Sequence, residues 1–199
     1  MPKAGKTTET EVKLAVPSVE DAKRRLRRAG FRVLHTRVFE ANEIFDTPEL
    51  RLRANSELLR LREAGGAAIL TYKGPPLRSR HKSREEVETK VSNPGALRRI
   101  LLATGFTLVF RYEKYRTEYV RAGEAGHATV DETPLGCYME LEGDGAWIDA
   151  TAGLLGFTPA DYITLSYGSL YVEWCGREGI TPQNMVFGAQ GRRGARKLK

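Results

Sequence analysis

Acidic and basic residues recur in this chain in pairs two positions apart: Glu9 and Glu11, Glu86 and Glu88, Glu140 and Glu142, against Arg60 and Arg62, Lys114 and Arg116. Lys13 prolongs the first pair, and Lys73 and Asp131 close two further alternating stretches. On a pleated strand this spacing puts both members of a pair on one face, roughly 6 to 7 Å apart. The other parity of the same stretches is apolar: Val12 and Leu14, Leu59 and Leu61, Val87, Tyr115, Met139 and Leu141. Arginine grips the oxygens of a polyanion with a fork of donors and lysine as a point charge. Carboxylates among them would repel that ligand unless a cation intervened, and Mg2+ or Mn2+ takes oxygen ligands from carboxylate and phosphate alike. The mixture therefore suits a metal-complexed chain of phosphates better than a single phosphate.

The elements that must carry these residues can be read from period and punctuation. Strands are expected at residues 8–16, 37–46, 57–63, 67–73, 84–91 and 107–121, then one ending at Asp131 and a last one at 138–142. Gly65-Gly66 is a hairpin signal. A helix follows Pro17-Ser18 through Val19, Ala22, Leu26 and Ala29 to Gly30, with Lys23, Arg24, Arg25, Arg27 and Arg28 as its solvated face. Further helices are expected after Asn93-Pro94, at 147–155 and at 166–175, with a short helical or irregular stretch reaching Asn55 and a mobile basic loop at 78–83. Eight strands are enough to close a small barrel.

Two arrangements fit the parities. The charges can form cross-strand pairs on a solvated outer surface around an apolar interior. Alternatively, the helices cover an apolar outer surface and leave the charges inside, in a wet cavity completed by charged ligand and metal. The helices, which need an apolar surface to pack on, weigh toward the second: an α+β fold, a closed eight-stranded antiparallel barrel with helices packed outside.

Composition limits the partners. The net charge of +7 resides entirely in residues 1–7 and 188–199, which carry Lys3, Lys6, Arg192, Arg193, Arg196, Lys197 and Lys199 and no acid. The body between them holds 25 basic and 25 acidic side chains, so its charge gives no reason to expect a nucleic-acid partner. A single domain at 8–187 is expected between disordered tails at 1–7 and 188–199. No apolar run approaches the roughly 20 residues of a membrane helix, and no apolar N-terminal stretch resembles a signal peptide. Cys137 and Cys175 have neither metal nor redox spacing and read as two buried thiols of a cytoplasmic protein. Gly5-Lys6-Thr7-Thr8 mimics the end of a P-loop but lacks the earlier glycine and the preceding strand.

The order of the motifs resembles the CYTH superfamily of triphosphate tunnel enzymes, which includes class IV adenylyl cyclases, thiamine triphosphatases and inorganic triphosphatases. Glu9-Thr10-Glu11-Val12-Lys13 is similar to that family's ExExK motif. Ile44-Phe45-Asp46-Thr47-Pro48, Leu59-Arg60-Leu61-Arg62, Leu70-Thr71-Tyr72-Lys73-Gly74-Pro75, Ser83-Arg84-Glu85-Glu86-Val87-Glu88, Lys114-Tyr115-Arg116 and Gly136 to Glu142 follow in order. The Thr-Tyr-Lys-Gly-Pro and Ser-Arg-Glu-Glu-Val-Glu segments, with Ser166-Tyr167, look most like the class IV cyclase branch. The resemblance implies an eight-stranded triphosphate tunnel in which Lys13, Arg60, Arg62, Lys73, Lys114 and Arg116, with Arg84 as a further contact, bind the triphosphate. It implies that Glu9, Glu11, Glu140 and Glu142 hold Mg2+ or Mn2+, and that Glu86, Glu88 and Asp131 serve the same metal or a second one. No catalytic residue transfers from the stretch after Leu155.

Catalysis is accordingly expected to rest on Lys13, Glu11, Arg60, Arg62, Lys114 and Arg116, which position and neutralise the phosphates. Water as nucleophile would hydrolyse tripolyphosphate, thiamine triphosphate or ATP; a ribose hydroxyl of ATP would instead yield cyclic AMP and pyrophosphate. Hydrolysis is favoured because no nucleoside pocket is readable. A non-catalytic polyphosphate or nucleotide sensor is the rival from another class. The oligomeric state is not legible.

Overall fold

The structure, a computed structural model, describes residues 7–77 and 80–188. Eight antiparallel strands close into a barrel in the order β1-β5-β4-β3-β2-β6-β7-β8. In chain order they are β1 (Thr7–Val16), β2 (Arg32–Asp46), β3 (Leu58–Ala64), β4 (Ala67–Lys73), β5 (Lys82–Lys90), β6 (Thr107–Val120), β7 (His127–Thr133) and β8 (Gly136–Glu142). The helices are α1 (Val19–Arg28), α2 (Arg51–Ala54), α3 (Pro94–Ala103), α4 (Gly145–Leu154) and α5 (Tyr167–Glu178), with a 3-10 turn at Pro159–Asp161.

Helices cover the apolar parity from outside, as the charged-interior arrangement requires. Ala22 and Leu26 of α1 and Ile148 and Ala152 of α4 are buried with Val12, Leu14, Val130, Met139 and Leu141 of the wall. Ser18 caps α1 by accepting from the Asp21 N–H, and Asp21 in turn ties Arg24 and Arg25. Arg25 also donates to the Leu155 carbonyl at 2.8 Å, joining α1 to the end of α4. On another side, Leu101 and Leu97 of α3 pack on Phe45, Leu59 and Leu61. Gly65 and Gly66, both at positive φ, form the tight turn between β3 and β4.

Some boundaries differ from the sequence expectation. β2 begins at Arg32, five residues early, because Arg32 and Val33 pair with Val120 and Tyr119; residues 32–37 are exposed on the sheet, so no burial alternation marks them. β5 begins at Lys82, inside the stretch expected to be a mobile loop, because Lys82 pairs with Glu11 and Ser83 with Thr10. Cys175 is buried, but Cys137 is only half-buried, since it sits near the start of β8. Both are free thiols. Residues 1–6 and 189–199 of the terminal tails, with Arg78 and Ser79, lie outside the described residues, whereas Thr7, placed by the sequence in the N-terminal tail, is the first residue of β1.

The last third of the chain mends two gaps in the wall. The register of β5 on β1 runs only as far as Glu11, and beyond it Lys13 exchanges backbone hydrogen bonds of 3.0 and 2.9 Å with Ile163. β7 pairs with β6 only from Tyr115 onward; below that point Met185 donates to the Arg111 carbonyl at 3.0 Å and accepts from the Glu113 N–H at 2.9 Å. These contacts seat Met185 in a cluster with Tyr112 and Tyr167.

Candidate active site

The ladders carry the charge pairs onto one surface. Register sets Glu9 opposite Arg84, Glu11 opposite both Lys82 and Glu142, and Lys13 opposite Glu140. It sets Lys73 opposite Glu86, Arg60 opposite Thr71, Lys114 opposite Glu40, and Arg116 opposite Asp131. Together they enclose a cavity of about 920 Å³. Its lining includes Glu9, Glu11, Lys13, Arg60, Arg62, Lys73, Arg84, Glu86, Glu88, Lys114, Arg116, Glu140 and Glu142, so every residue expected to bind triphosphate or metal lines it except Asp131.

Asp131 is fully buried behind the wall cations. It accepts from Arg116 Nε and Nη2 at 2.7 and 2.6 Å, from Lys114 Nζ at 2.9 Å and from the Tyr167 hydroxyl at 2.8 Å. A carboxylate has about four acceptor sites, so Asp131 is saturated by these groups. Its geometry is that of an anchor for Lys114 and Arg116.

Ion pairs continue around the interior. Lys13 bridges Glu11 at 3.2 Å and Glu140 at 3.1 Å, and Glu140 also pairs with Arg116. Lys73 pairs with Glu9 and, at 3.2 Å, with Glu86. Lys114 reaches Glu40 at 3.5 Å, Arg62 lies 3.9 Å from both Glu40 and Glu88, and Arg60 lies 3.6 Å from Glu88. Arg60 Nε and Arg84 Nε are buried with no hydrogen-bond partner. Unbonded buried guanidinium donors are costly unless an anion completes them.

The charge balance differs between regions of the cavity. Burial alone would raise Glu11, Glu40 and Glu140, but adjacent cations outweigh it. Lys13 and Lys82 hold Glu11 well below the carboxylate range, Lys13 and Arg116 do the same for Glu140, and Lys114 with Arg116 holds Glu40 at about 2. Burial would lower Lys13, yet Glu11 and Glu140 drive it above the ordinary lysine value. Glu86 and Glu142 behave oppositely. Burial, reinforced by Glu9, pushes Glu86 up to about 7 despite Lys73. Burial, reinforced by Glu9 and Glu11, pushes Glu142 to about 7. Burial is the larger cause at both groups, and the neighbouring bases do not offset it. The carboxylate set of Glu9, Glu86 and Glu142 fits a hard divalent cation, which would favour the ionised form of these buried acids. As the side chains stand, no three acidic, histidine or cysteine groups among the described residues form a ready cation cage.

Several residues in or beside the cavity are not marked as site residues by the sequence pattern. Glu40 and Asn42, two apart on β2, share the inward parity with Ile44; that spacing was a usable signal, diluted by the neighbouring Glu43 on the outer face. Lys82 was assigned to a loop. Tyr167 is marked in the sequence only through the Ser166-Tyr167 resemblance and without a site role, since it lies at the start of α5, far along the chain from every strand it serves. Its ring centroid is 5.1 Å from Lys13 Nζ and 5.2 Å from Lys114 Nζ, so one aromatic ring supports two tunnel ammonium groups.

The model of the CYTH domain matches residues 7–152. The chain belongs to the CYTH family. This CYTH protein is 30% identical over 135 residues to a putative adenylate cyclase of Methanocaldococcus jannaschii, covering 67% of the present chain and 75% of that protein. Its fold is similar to the crystal structure of a putative adenylate cyclase from Vibrio parahaemolyticus, with a TM-score of 0.72 at 21% identity over 83% of this chain and 98% of that one. It is also similar to a putative adenylyl cyclase from Hippeastrum, described as having a dominant triphosphatase activity, with a TM-score of 0.57 at 20% identity over 88% and 97% of the two chains. The chain has the triphosphate-tunnel architecture and is an enzyme of the CYTH type. Among the described residues no helix is long and apolar enough to cross a membrane.

Proposed function

We propose that this protein hydrolyses a triphosphate bound in the tunnel. The supporting observation is the convergence of Lys13, Arg60, Arg62, Lys73, Arg84, Lys114 and Arg116 on one cavity in which guanidinium donors of Arg60 and Arg84 stand unbonded. These cations hold the phosphate oxygens and neutralise the charge that shifts along the chain as a bridging bond breaks. Lys13 and Lys114, fixed by Glu11, Glu140, Asp131 and the Tyr167 ring, place their ammonium groups with little freedom, so little ordering is needed at the moment of reaction. Water attacks the terminal phosphorus, the bond to the bridging oxygen breaks, and tripolyphosphate yields orthophosphate and pyrophosphate.

Glu9, Glu86 and Glu142 would hold Mg2+ or Mn2+, joined by Glu11, Glu88 and Glu140, while Asp131 serves the cations behind them. The ion would supply charge neutralisation of the phosphate oxygens.

One observation favours a second reading. The cavity is also lined by Ile44, Leu50, Val109, Phe110, Tyr171 and Val172, and the Phe110 and Tyr171 rings stack with centroids 6.0 Å apart. This apolar wall could seat the organic part of ATP or thiamine triphosphate, and with ATP a ribose hydroxyl could replace water to give cyclic AMP. Parallel assays of phosphate release and cyclic AMP formation from tripolyphosphate, thiamine triphosphate and ATP, with magnesium or manganese, decide between them. Absence of turnover on all three, with tight binding retained, would refute the catalytic proposal.

A further inference from the structure

At the start of β5 two neighbouring residues face opposite ways. Lys82 points into the cavity, where its side chain is 11% exposed and Nζ donates to Glu11 Oε1 at 2.5 Å, the same oxygen that Lys13 reaches at 3.2 Å. His81, one position earlier, lies outside the wall. Its Nε2 is 2.8 Å from Asp149 Oδ1 of α4, and the Tyr162 hydroxyl donates to that same oxygen at 2.8 Å. The His81 and Tyr162 rings are in contact, with centroids 5.9 Å apart. Gly145, at the first turn of α4, makes room for the imidazole: a Cβ there would stand 2.9 Å from His81 Cε1.

This fastening occurs at the end of β5, where its regular ladders stop. The β4 ladder reaches β5 only as far as Glu86, beyond which single backbone bonds from Gly74 to Glu85 and from Leu77 to Ser83 hold it, and the β1 ladder ends at the Glu11–Lys82 pair. Lys82 therefore stands on the last rung, and a strand end frays unless something outside the ladder fixes it. The His81–Asp149–Tyr162 contacts join the strand end to α4 and to the segment that leads to Ile163, which itself pairs with Lys13.

We propose that Lys82 is a further triphosphate-contacting cation and that His81, Asp149 and Tyr162 are positioning residues that hold it at the tunnel wall. This rests on the triphosphate reading above and adds to it a residue outside the motif set. Lys82, aimed at the acidic region beside Glu11, would contact the bound chain from the side opposite the Asp131-anchored pair of Lys114 and Arg116.

The test is calorimetric binding of tripolyphosphate, with and without magnesium, to the full chain and to Lys82→Ala, Lys82→Arg, His81→Ala and the double variant His81→Ala/Lys82→Ala. Loss of a charge-assisted contact should weaken Kd about tenfold or more in Lys82→Ala, with most of the affinity returning in Lys82→Arg. His81→Ala should weaken Kd about three- to tenfold, and the double variant should bind no worse than Lys82→Ala, because the clamp acts only through the lysine. Unchanged Kd in Lys82→Ala, or a double variant whose loss is the product of the two single losses, overturns the inference. If His81→Ala unfolds, Asp149→Asn and Tyr162→Phe supply the same cycle. Failure of the native chain to bind tripolyphosphate would instead overturn the triphosphate reading itself.

Discussion

Replacing a glutamate inside the tunnel by glutamine should stabilise the metal-free protein at alkaline pH. Glu86 has a side chain 14% exposed, is hydrogen-bonded to Glu9, and titrates in the folded chain near 7 against an ordinary value of 4.5. Between those values the folded chain retains a proton that the unfolded chain has released, so stability falls as pH rises through the window, and the penalty is complete above it. The difference corresponds to at most about 3 kcal/mol, and relaxation of the wet interior would reduce it to about 1 to 2 kcal/mol. Glu86→Gln removes the titrating carboxyl but keeps its volume, while Lys73 retains Glu9 as partner. Urea unfolding followed by tryptophan fluorescence and far-UV dichroism, in chelator, should therefore show the variant more stable than the native chain at about pH 8 and no more stable at about pH 5. Adding magnesium should raise the native midpoint more than that of the variant, since the native chain keeps the full donor set. A variant less stable than the native chain at the alkaline end, or a difference that does not move with pH, would refute the claim that burial beside Glu9 raises the Glu86 carboxyl.

Four further outcomes are expected. Asp131→Asn should cost about 3 to 5 kcal/mol in urea unfolding, because it leaves buried Arg116 and Lys114 undercompensated, and saturating tripolyphosphate should recover part of the loss. Lys13→Ala should reduce turnover by about 100-fold or more while far-UV dichroism stays native, since Glu11 keeps Lys82 and Glu140 keeps Arg116 as counter-charges. Met185→Ala should destabilise by about 2 to 5 kcal/mol through the cavity it opens beside Tyr112 and Tyr167, whereas a chain ending at Phe187 should keep native unfolding and turnover.

Much of the tunnel was legible because a pleated strand sorts side chains locally. Glu9, Glu11 and Lys13 share a face whatever surrounds them, and the same holds for Arg60 with Arg62 and for Glu140 with Glu142. Lys82 was lost because only pairing with Glu11 makes its basic surroundings a strand. Glu40 was lost because β2 carries acids on both parities, and its partner Lys114 lies on a strand more than seventy residues away. The apolar wall of Phe110, Tyr171 and Val172 joins β6 to α5 and has no continuous counterpart in the chain.

The sequence by itself determined the strand parities, the motif order from Glu9 to Glu142 that marks a CYTH protein, and the neutrality of the body between basic tails. Tertiary structure alone decided that the charged parity faces inward, because only closure of the barrel and the packing of α1, α3 and α4 on Val12, Leu14, Leu61 and Met139 assign the apolar face to the outside. It also separated acids of the same type. Glu11 and Glu140 are held ionised by lysine and arginine across the strands, Asp131 accepts from Tyr167 and two cations, and Glu86 and Glu142 are raised by burial that their neighbouring bases do not offset. Ionisation depends on distance and burial, and those exist only once the strands have met.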